Sequence, residues 1–286
     1  MTQLIDGLSR LAGDYDVLLS DIWGVIHNGQ TAFPAACDAL ARWRRRRGPV
    51  ILISNSPRPR REVIAQLDEL GVPREAWSAI VTSGDATRVL LAERAPGPAW
   101  RIGPDRDAPL YEGLGVAFAD VDQARFIACT GPNDDEIETP EDYRDVLTLA
   151  AARGLEMVCA NPDRVVQRGE RLIYCGGALA ELYETLGGPT IMAGKPFAPI
   201  YDLALALADE ALGHAHDRAR VLVIGDGLVT DIAGAQAQAL DRLFIATGIH
   251  GEESRGPDGR LSAPAVDALL AREGLSTHFA MGDLVW

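Results

Sequence analysis

Three short runs of uninterrupted apolar residues, each closing on a polar or charged group, restrict this chain more than any other feature. They are Val17-Leu18-Leu19-Ser20 before Asp21, Val50-Ile51-Leu52-Ile53 before Ser54-Asn55-Ser56, and Val221-Leu222-Val223-Ile224-Gly225 before Asp226. Runs that are apolar at every position, rather than at alternate ones, belong to strands covered on both faces, the condition of a parallel sheet between helices. Helical patterns separate them. Residues 34–47 carry Ala36, Leu40 and Trp43 on one face, and residues 60–70 form a second helix stopped by Gly71. Residues 80–84 read as a further strand with a polar end. Strand and helix alternating at this spacing predict right-handed crossovers and a doubly wound, parallel α/β sheet.

The rhythm changes near Ala95-Pro96-Gly97-Pro98. A second α/β block follows, with strands expected at 100–103, 126–129 and 157–160 and a helix at 140–153. Beyond Gly188 the first block resumes: a helix ending near 212–213, strands at 220–227 and 243–248, helices at 230–239 and 264–273, and a tail strand at 278–280. The sequence therefore predicts a core domain made of residues 1–86 and 189–286, with a smaller α/β domain, 87–188, inserted into it. Hinges are expected near 84–87 and 187–194. Leu4, Leu8 and Leu11 stand at helical spacing and predict a short amphipathic stretch ending at Gly13.

Composition removes several classes of function. The formal net charge of −14 argues against a nucleic acid or an anionic membrane surface as partner. No apolar run approaches the roughly 18 residues that span a bilayer, and the first residues lack the basic start and apolar stretch of a signal peptide. A cytoplasmic protein is expected, and self-association is compatible with the sequence. Cys37, Cys129, Cys159 and Cys175 are scattered without metal-ligand spacing and read as buried thiols. The run Arg44–Arg47 precedes Gly48, where cations complement a helix dipole. The acidic run 134–138 lacks the spacing of a calcium loop, and Thr139-Pro140-Glu141-Asp142 reads as a helix start.

Four segment ends then carry the chemistry: Asp21, with Gly24 letting the backbone turn; Ser54-Asn55; Lys195; and Asp226 with Asp231. If the strands are parallel neighbours, these groups meet at the carboxyl edge, where open α/β sheets bind ligands. Carboxylates brought together there repel one another unless a cation sits between them, and an all-oxygen donor set with few side chains suits Mg²⁺. A hydroxyl and a backbone amide at Ser54-Asn55, together with a lysine, supply donors to the oxygens of an anion. A nucleophilic Asp with these partners forms a phosphoryl-transfer site working through an aspartyl-phosphate.

Asp21-Ile22-Trp23-Gly24-Val25, Ser54-Asn55, Gly194-Lys195-Pro196 and Gly225-Asp226 followed by Asp231 resemble, in order, the four motifs of the haloacid dehalogenase superfamily. The insert resembles a type 2 cap, and Asn161-Pro162-Asp163 and Gly176-Gly177-Ala178-Leu179 resemble segments of its class IIA, NagD-like phosphatase branch. The resemblance implies Asp21 as nucleophile and metal ligand, Asp226 and Asp231 as metal ligands, and the Trp23 carbonyl completing the metal shell. It implies Ser54 and Asn55 on the phosphoryl oxygens of a small phosphorylated substrate and Lys195 balancing charge. Asn161 shapes a turn or meets substrate; Arg164 shapes the same turn or meets an acidic substrate group.

Trp23 departs from the pattern, because most phosphatases of that superfamily place a second Asp there as general acid and base. Indole does neither near neutral pH, which predicts slow hydrolysis favouring good leaving groups. His27 is a conceivable substitute acid. The rivals are a binding protein for a phosphorylated ligand without turnover and a metal-independent dehalogenase, for which Asp226 and Asp231 would be unexplained. A dinucleotide site at Gly225-Asp226-Gly227 is weak, since the Asp would repel a pyrophosphate.

Overall fold

The computed structural model describes every residue except 169, 170 and 249. The chain divides into two compact units, one of Met1–Ser54, Ile64–Val81 and Tyr201–Trp286, the other of Asn55–Val63 and Thr82–Ile200. Along the chain the helices are α1 (Pro34–Arg46), α2 (Arg60–Glu69), α3 (Ser83–Glu93), α4 (Arg144–Ala152), α5 (Gly176–Thr185), α6 (Ala198–Leu212), α7 (Ala233–Ala237) and α8 (Ala263–Arg272).

The first unit is built on a seven-stranded sheet. Its strands are β1 (Gln3–Leu4), β2 (Val17–Asp21), β3 (Val50–Ser54), β4 (Ala79–Thr82), β11 (Val221–Gly225), β12 (Asp241–Ile245) and β13 (Phe279–Met281). Their order is β1-β13-β12-β11-β2-β3-β4, with parallel pairing from β1 through to β3. Every residue of β2, β3 and β11 is buried, as the uninterrupted apolar runs require. Each large aliphatic side chain so covered contributes about 1.5–3 kcal/mol. Leu228, Ile232, Phe244, Val266, Leu269 and Leu270 close one cluster of this core.

The second unit has its own four-stranded parallel sheet, in the order β10-β7-β6-β5, from β5 (Ala99–Ile102), β6 (Phe126–Cys129), β7 (Glu156–Cys159) and β10 (Thr190–Met192). One cluster packs Ile127, Met157 and Cys159 with Leu147 of α4 and Leu179 and Tyr183 of α5; another packs Ala99, Phe126 and Val158 with Leu91 of α3 and Tyr111. A hairpin of β8 (Val165–Arg168) and β9 (Arg171–Tyr174) completes the unit.

Several local expectations differ from what forms. Thr190–Met192, assigned above to the resumed first block, adds to the second sheet instead, with Thr190 beside Met157 and Met192 beside Cys159. Three residues carry no signal for which sheet they extend. The strand expected at 80–84 stops at Thr82, because Thr82 and Asp85 form a capping box: the Asp85 amide donates to Thr82 Oγ1 at 2.9 Å and the Thr82 amide to the Asp85 carboxylate at 3.3 Å. Residues 84–87 are therefore helical. The N-terminal stretch is not one helix. Leu4 joins β1 and Leu8–Leu11 form a 3₁₀ turn, since pairing of Leu4 with Ala280 satisfies the backbone first. The helix expected at 140–153 begins with a 3₁₀ turn, Pro140–Tyr143, before α4. All four cysteines are buried thiols.

Candidate active site

In the first sheet β2 lies between β11 and β3, with Ile224 beside Ser20 and Asp21 beside Ile53. Three adjacent parallel strands therefore end level, Asp21 closing β2, Ser54 closing β3 and Asp226 following β11. Asp231 arrives from the next segment, a single π-helical turn, Leu228–Ile232, which the sequence had suggested as the start of an ordinary helix. A carboxylate oxygen from each of Asp21, Asp226 and Asp231 lies within 4.8 Å of the others. Asp21 and Asp231 are buried and Asp226 half-buried.

At 4–5 Å two carboxylates repel by about 3–4 kcal/mol at the effective dielectric of a protein site. A hard divalent cation between them turns that repulsion into attraction, so the donor set fits such an ion by chemistry as well as by spacing. The backbone is shaped around these acids. A Cβ on Gly24, whose φ is +86°, would lie 2.2 Å from Asp226 Oδ2, and one on Gly248 would stand equally close to the same oxygen. A Cβ on Gly225 would lie 2.2 Å from the Asp231 carboxyl carbon. The Gly227 amide donates to Asp231 Oδ2 at 3.0 Å and holds its side chain in place. Of these glycines Gly24, Gly225 and Gly227 were named in the sequence motifs; Gly248 was not, because a loop such as its own gives no hint of what it passes.

The loop after β2 is closed on itself. The Gly24 amide donates to the His27 carbonyl at 2.8 Å, and the Trp23 ring meets the His27 ring edge-on with centroids 5.2 Å apart. Gly29 leaves room for the indole, since a Cβ there would lie 2.4 Å from it. The Gly29 amide donates to His27 Nδ1 at 2.9 Å, so the proton of this buried imidazole belongs on Nε2.

In the second unit Asn55, the residue after Ser54, uses its whole side-chain amide. Its Oδ1 accepts from the Lys195 amide at 2.7 Å, while Nδ2 donates to the Lys195 carbonyl at 3.0 Å and to Asp163 Oδ1 at 2.9 Å. Asn55 and Lys195 are both buried. Gly194 permits the approach, because a Cβ there would lie 2.7 Å from Asn55 Oδ1. Asn161 Oδ1 accepts from the Asp163 amide at 3.2 Å, the turn expected around Pro162. Arg164 pairs with Glu181 at 2.7 Å on an exposed surface. Lys195 was expected at a strand end of the first sheet; the strand that precedes it is β10 of the second.

Further polar groups follow the second sheet's strands. The nearly buried Asp107 carboxyl is pushed up by burial, against the Thr130 hydroxyl and the charges of Arg106 and Arg58. Burial lowers the Arg58 guanidinium, and Asp107 opposes that shift. Neither residue carries a motif, and an isolated Asp or Arg in a loop gives no sign of burial.

The family model described as haloacid dehalogenase-like hydrolase matches residues 18–117, and one described as HAD-hydrolase-like matches residues 192–270. A solved hydrolase of the haloacid dehalogenase-like family from Brucella suis is 43% identical, covers 99% of this chain and 100% of its own, and superposes with a TM-score of 0.88. The chain belongs to the haloacid dehalogenase-like hydrolases. Its relatives are NagD-like, class IIA phosphatases. D-glycerol 3-phosphate phosphatase of Mycobacterium tuberculosis is 29% identical over 251 residues, 85% of this chain and 66% of that one. A structure of the glycerol phosphate phosphatase of that organism in complex with calcium is 27% identical, with a TM-score of 0.62, covering 84% of this chain and 68% of the other. Among the described residues no helix is long and apolar enough to cross a membrane.

Proposed function

We propose that this protein is a Mg²⁺-dependent phosphatase of a small phosphorylated metabolite, working through an aspartyl-phosphate on Asp21. The observation that carries the reading is the convergence of the Asp21, Asp226 and Asp231 carboxylates within 4.8 Å at the carboxyl edge of a parallel sheet. The phosphatase names of the relatives and the calcium in one of them agree with it. Asp21, Asp226, Asp231 and the Trp23 carbonyl would hold the cation, which supplies charge neutralisation to the phosphoryl oxygens. Ser54, the backbone amide of Asn55 and Lys195 would bind those oxygens. An Asp21 oxygen then forms the bond to phosphorus as the ester oxygen leaves with its electron pair. Water next attacks the acyl phosphate, releasing inorganic phosphate and restoring the carboxylate. The second unit serves as a cap that selects the substrate, with Asn161 and Arg164 on the loop after β7.

Trp23 cannot give the leaving oxygen a proton. Losing a positioned acid lowers rates by about 10²–10⁴-fold, and least for leaving groups stable as anions. Aryl, enol and acyl phosphates are thus favoured over sugar phosphates. The same residue supports a second reading, a protein that binds a phosphorylated ligand with little turnover.

A panel of phosphate esters spanning leaving-group pKa, with and without Mg²⁺, on wild type and Asp21→Asn, tests both. Rates that rise steeply as leaving-group pKa falls, need Mg²⁺ and vanish in Asp21→Asn are expected. Equal rates on aryl and alkyl esters would overturn the leaving-group argument, and activity surviving Asp21→Asn would overturn the nucleophile. Saturable binding without hydrolysis of any ester favours the second reading.

A further inference from the structure

We infer that Asp163 is a positioning residue for the phosphoryl-binding machinery, acting through Asn55. The inference rests on the phosphatase reading above. The Asn55 amide has three capacities in play here, and all are used: Oδ1 accepts from the Lys195 amide, one Nδ2 proton goes to the Lys195 carbonyl, and the other goes to Asp163. The two contacts to Lys195 pair the amide with both backbone groups of that residue, much as a neighbouring strand would. Asp163 supplies the remaining anchor, a charged acceptor, and charged acceptors make the stronger hydrogen bonds. Its own backbone is held on both sides: the Asp163 amide donates to Asn161 Oδ1 at 3.2 Å, and its carbonyl accepts from the Gly177 amide at 3.0 Å. Gly177 is needed for that approach, because a Cβ there would lie 2.1 Å from the Pro162 carbonyl. The loop after β7 is thereby clamped to the first turn of α5, and its carboxylate is fixed on Asn55. Through this contact Asp163 keeps Asn55 and the Lys195 backbone in one arrangement.

The test compares wild type, Asp163→Ala, Asp163→Asn, Asn55→Ala and the Asp163→Ala/Asn55→Ala double variant. The readouts are kcat and KM on 4-nitrophenyl phosphate with Mg²⁺, the inhibition constant of orthovanadate, and melting temperature. Loss of one charge-assisted bond predicts KM and the vanadate constant about tenfold higher in Asp163→Ala, with kcat within about threefold and melting temperature nearly unchanged. Asp163→Asn keeps an acceptor and recovers most of the loss. Adding Asp163→Ala to Asn55→Ala changes nothing further. Wild-type KM and vanadate affinity in Asp163→Ala, or an equal loss in the Asn55→Ala background, overturns the inference. If Asp163→Ala does not fold, exchange of the Asn55 side-chain amide protons in the wild type decides: slow exchange supports the clamp, and exchange at the rate of a solvated amide removes it. A wild type that hydrolyses no ester ends the phosphatase reading, while vanadate affinity and amide exchange still decide the role of Asp163.

Discussion

At the carboxyl edge of the first sheet, Asp21, Asp226 and Asp231 gather three carboxylates within 4.8 Å of one another. On the loop after β6 of the second sheet, two acids are met by arginines. Asp135, on the loop after β6, pairs with Arg106 and, at 3.1 Å, with Arg168; Glu136 pairs with Arg168 at 2.8 Å and with Arg171 at 2.5 Å. Both edges arise from the same parallel architecture; one brings three carboxylates within reach of a single ion, and the other pairs Asp135 and Glu136 with arginines. Substitutions at the two edges should therefore separate activity from stability.

The largest effect is expected at Asp21. Asp21→Asn should reduce ester hydrolysis by at least about 10³-fold, read as the steady-state rate on 4-nitrophenyl phosphate with Mg²⁺. Activity that survives the substitution would remove Asp21 as the nucleophile. Next in size is Trp23→Asp, which restores a group able to exchange a proton. Alkyl phosphate turnover should rise by about 10²-fold and 4-nitrophenyl phosphate turnover by much less. Steady-state kinetics on the two esters checks this, and equal gains would dissociate Trp23 from leaving-group chemistry.

A smaller change is expected at Gly248. A Cβ there would stand 2.2 Å from Asp226 Oδ2, so Gly248→Ala must displace a proposed ligand oxygen. The Mg²⁺ concentration for half-maximal activity should rise about tenfold, on the order of 1.4 kcal/mol, and a titration of activity with Mg²⁺ reads it directly. The smallest effect on activity belongs to the compensated edge. Asp135→Asn should leave kcat within about twofold and lower stability by about 1 kcal/mol, a value kept small because both arginines reach solvent.

Acidity tests the arginine-paired edge as well. Burial raises the Asp135 carboxyl, but the hydrogen bond and charge of Arg106, joined by Arg168, outweigh it and leave the group below the ordinary carboxylate range. Its contribution to stability is therefore present above that ordinary range and is lost as pH falls through the lowered value. Chemical denaturation at stepped acid pH should show a shallower decline in Asp135→Asn than in wild type.

Much of the acidic edge was legible in the sequence. Asp21, Ser54 and Asp226 each follow a run of apolar residues long enough to be a buried strand, and a parallel sheet leaves such residues level at one edge. Asp231 was legible as a partner but not in the π-helical turn that delivers it, because one extra residue in a turn changes no periodicity. Thr190–Met192 was misassigned because a strand of three residues is too short to declare its neighbours. The link between Asp163 and Asn55 joins residues far apart in the chain, and nothing local to Asn161-Pro162-Asp163 distinguishes a turn from an anchor. The compensation of the acidic run 134–138 was equally invisible, since its arginines come from other segments.

What the sequence determined by itself was the class of fold and the identities of the chemical groups, because hydrophobic runs and punctuation act over a few residues and survive in any context. It also exposed Trp23 as a residue without acid or base function, a property of the side chain alone. The tertiary structure decided which carboxylates converge, which acids are neutralised, and which glycines must lack a Cβ for Asp226 and Asp231 to approach. Those outcomes depend on distances between segments remote in the chain, and only the packed backbone sets them.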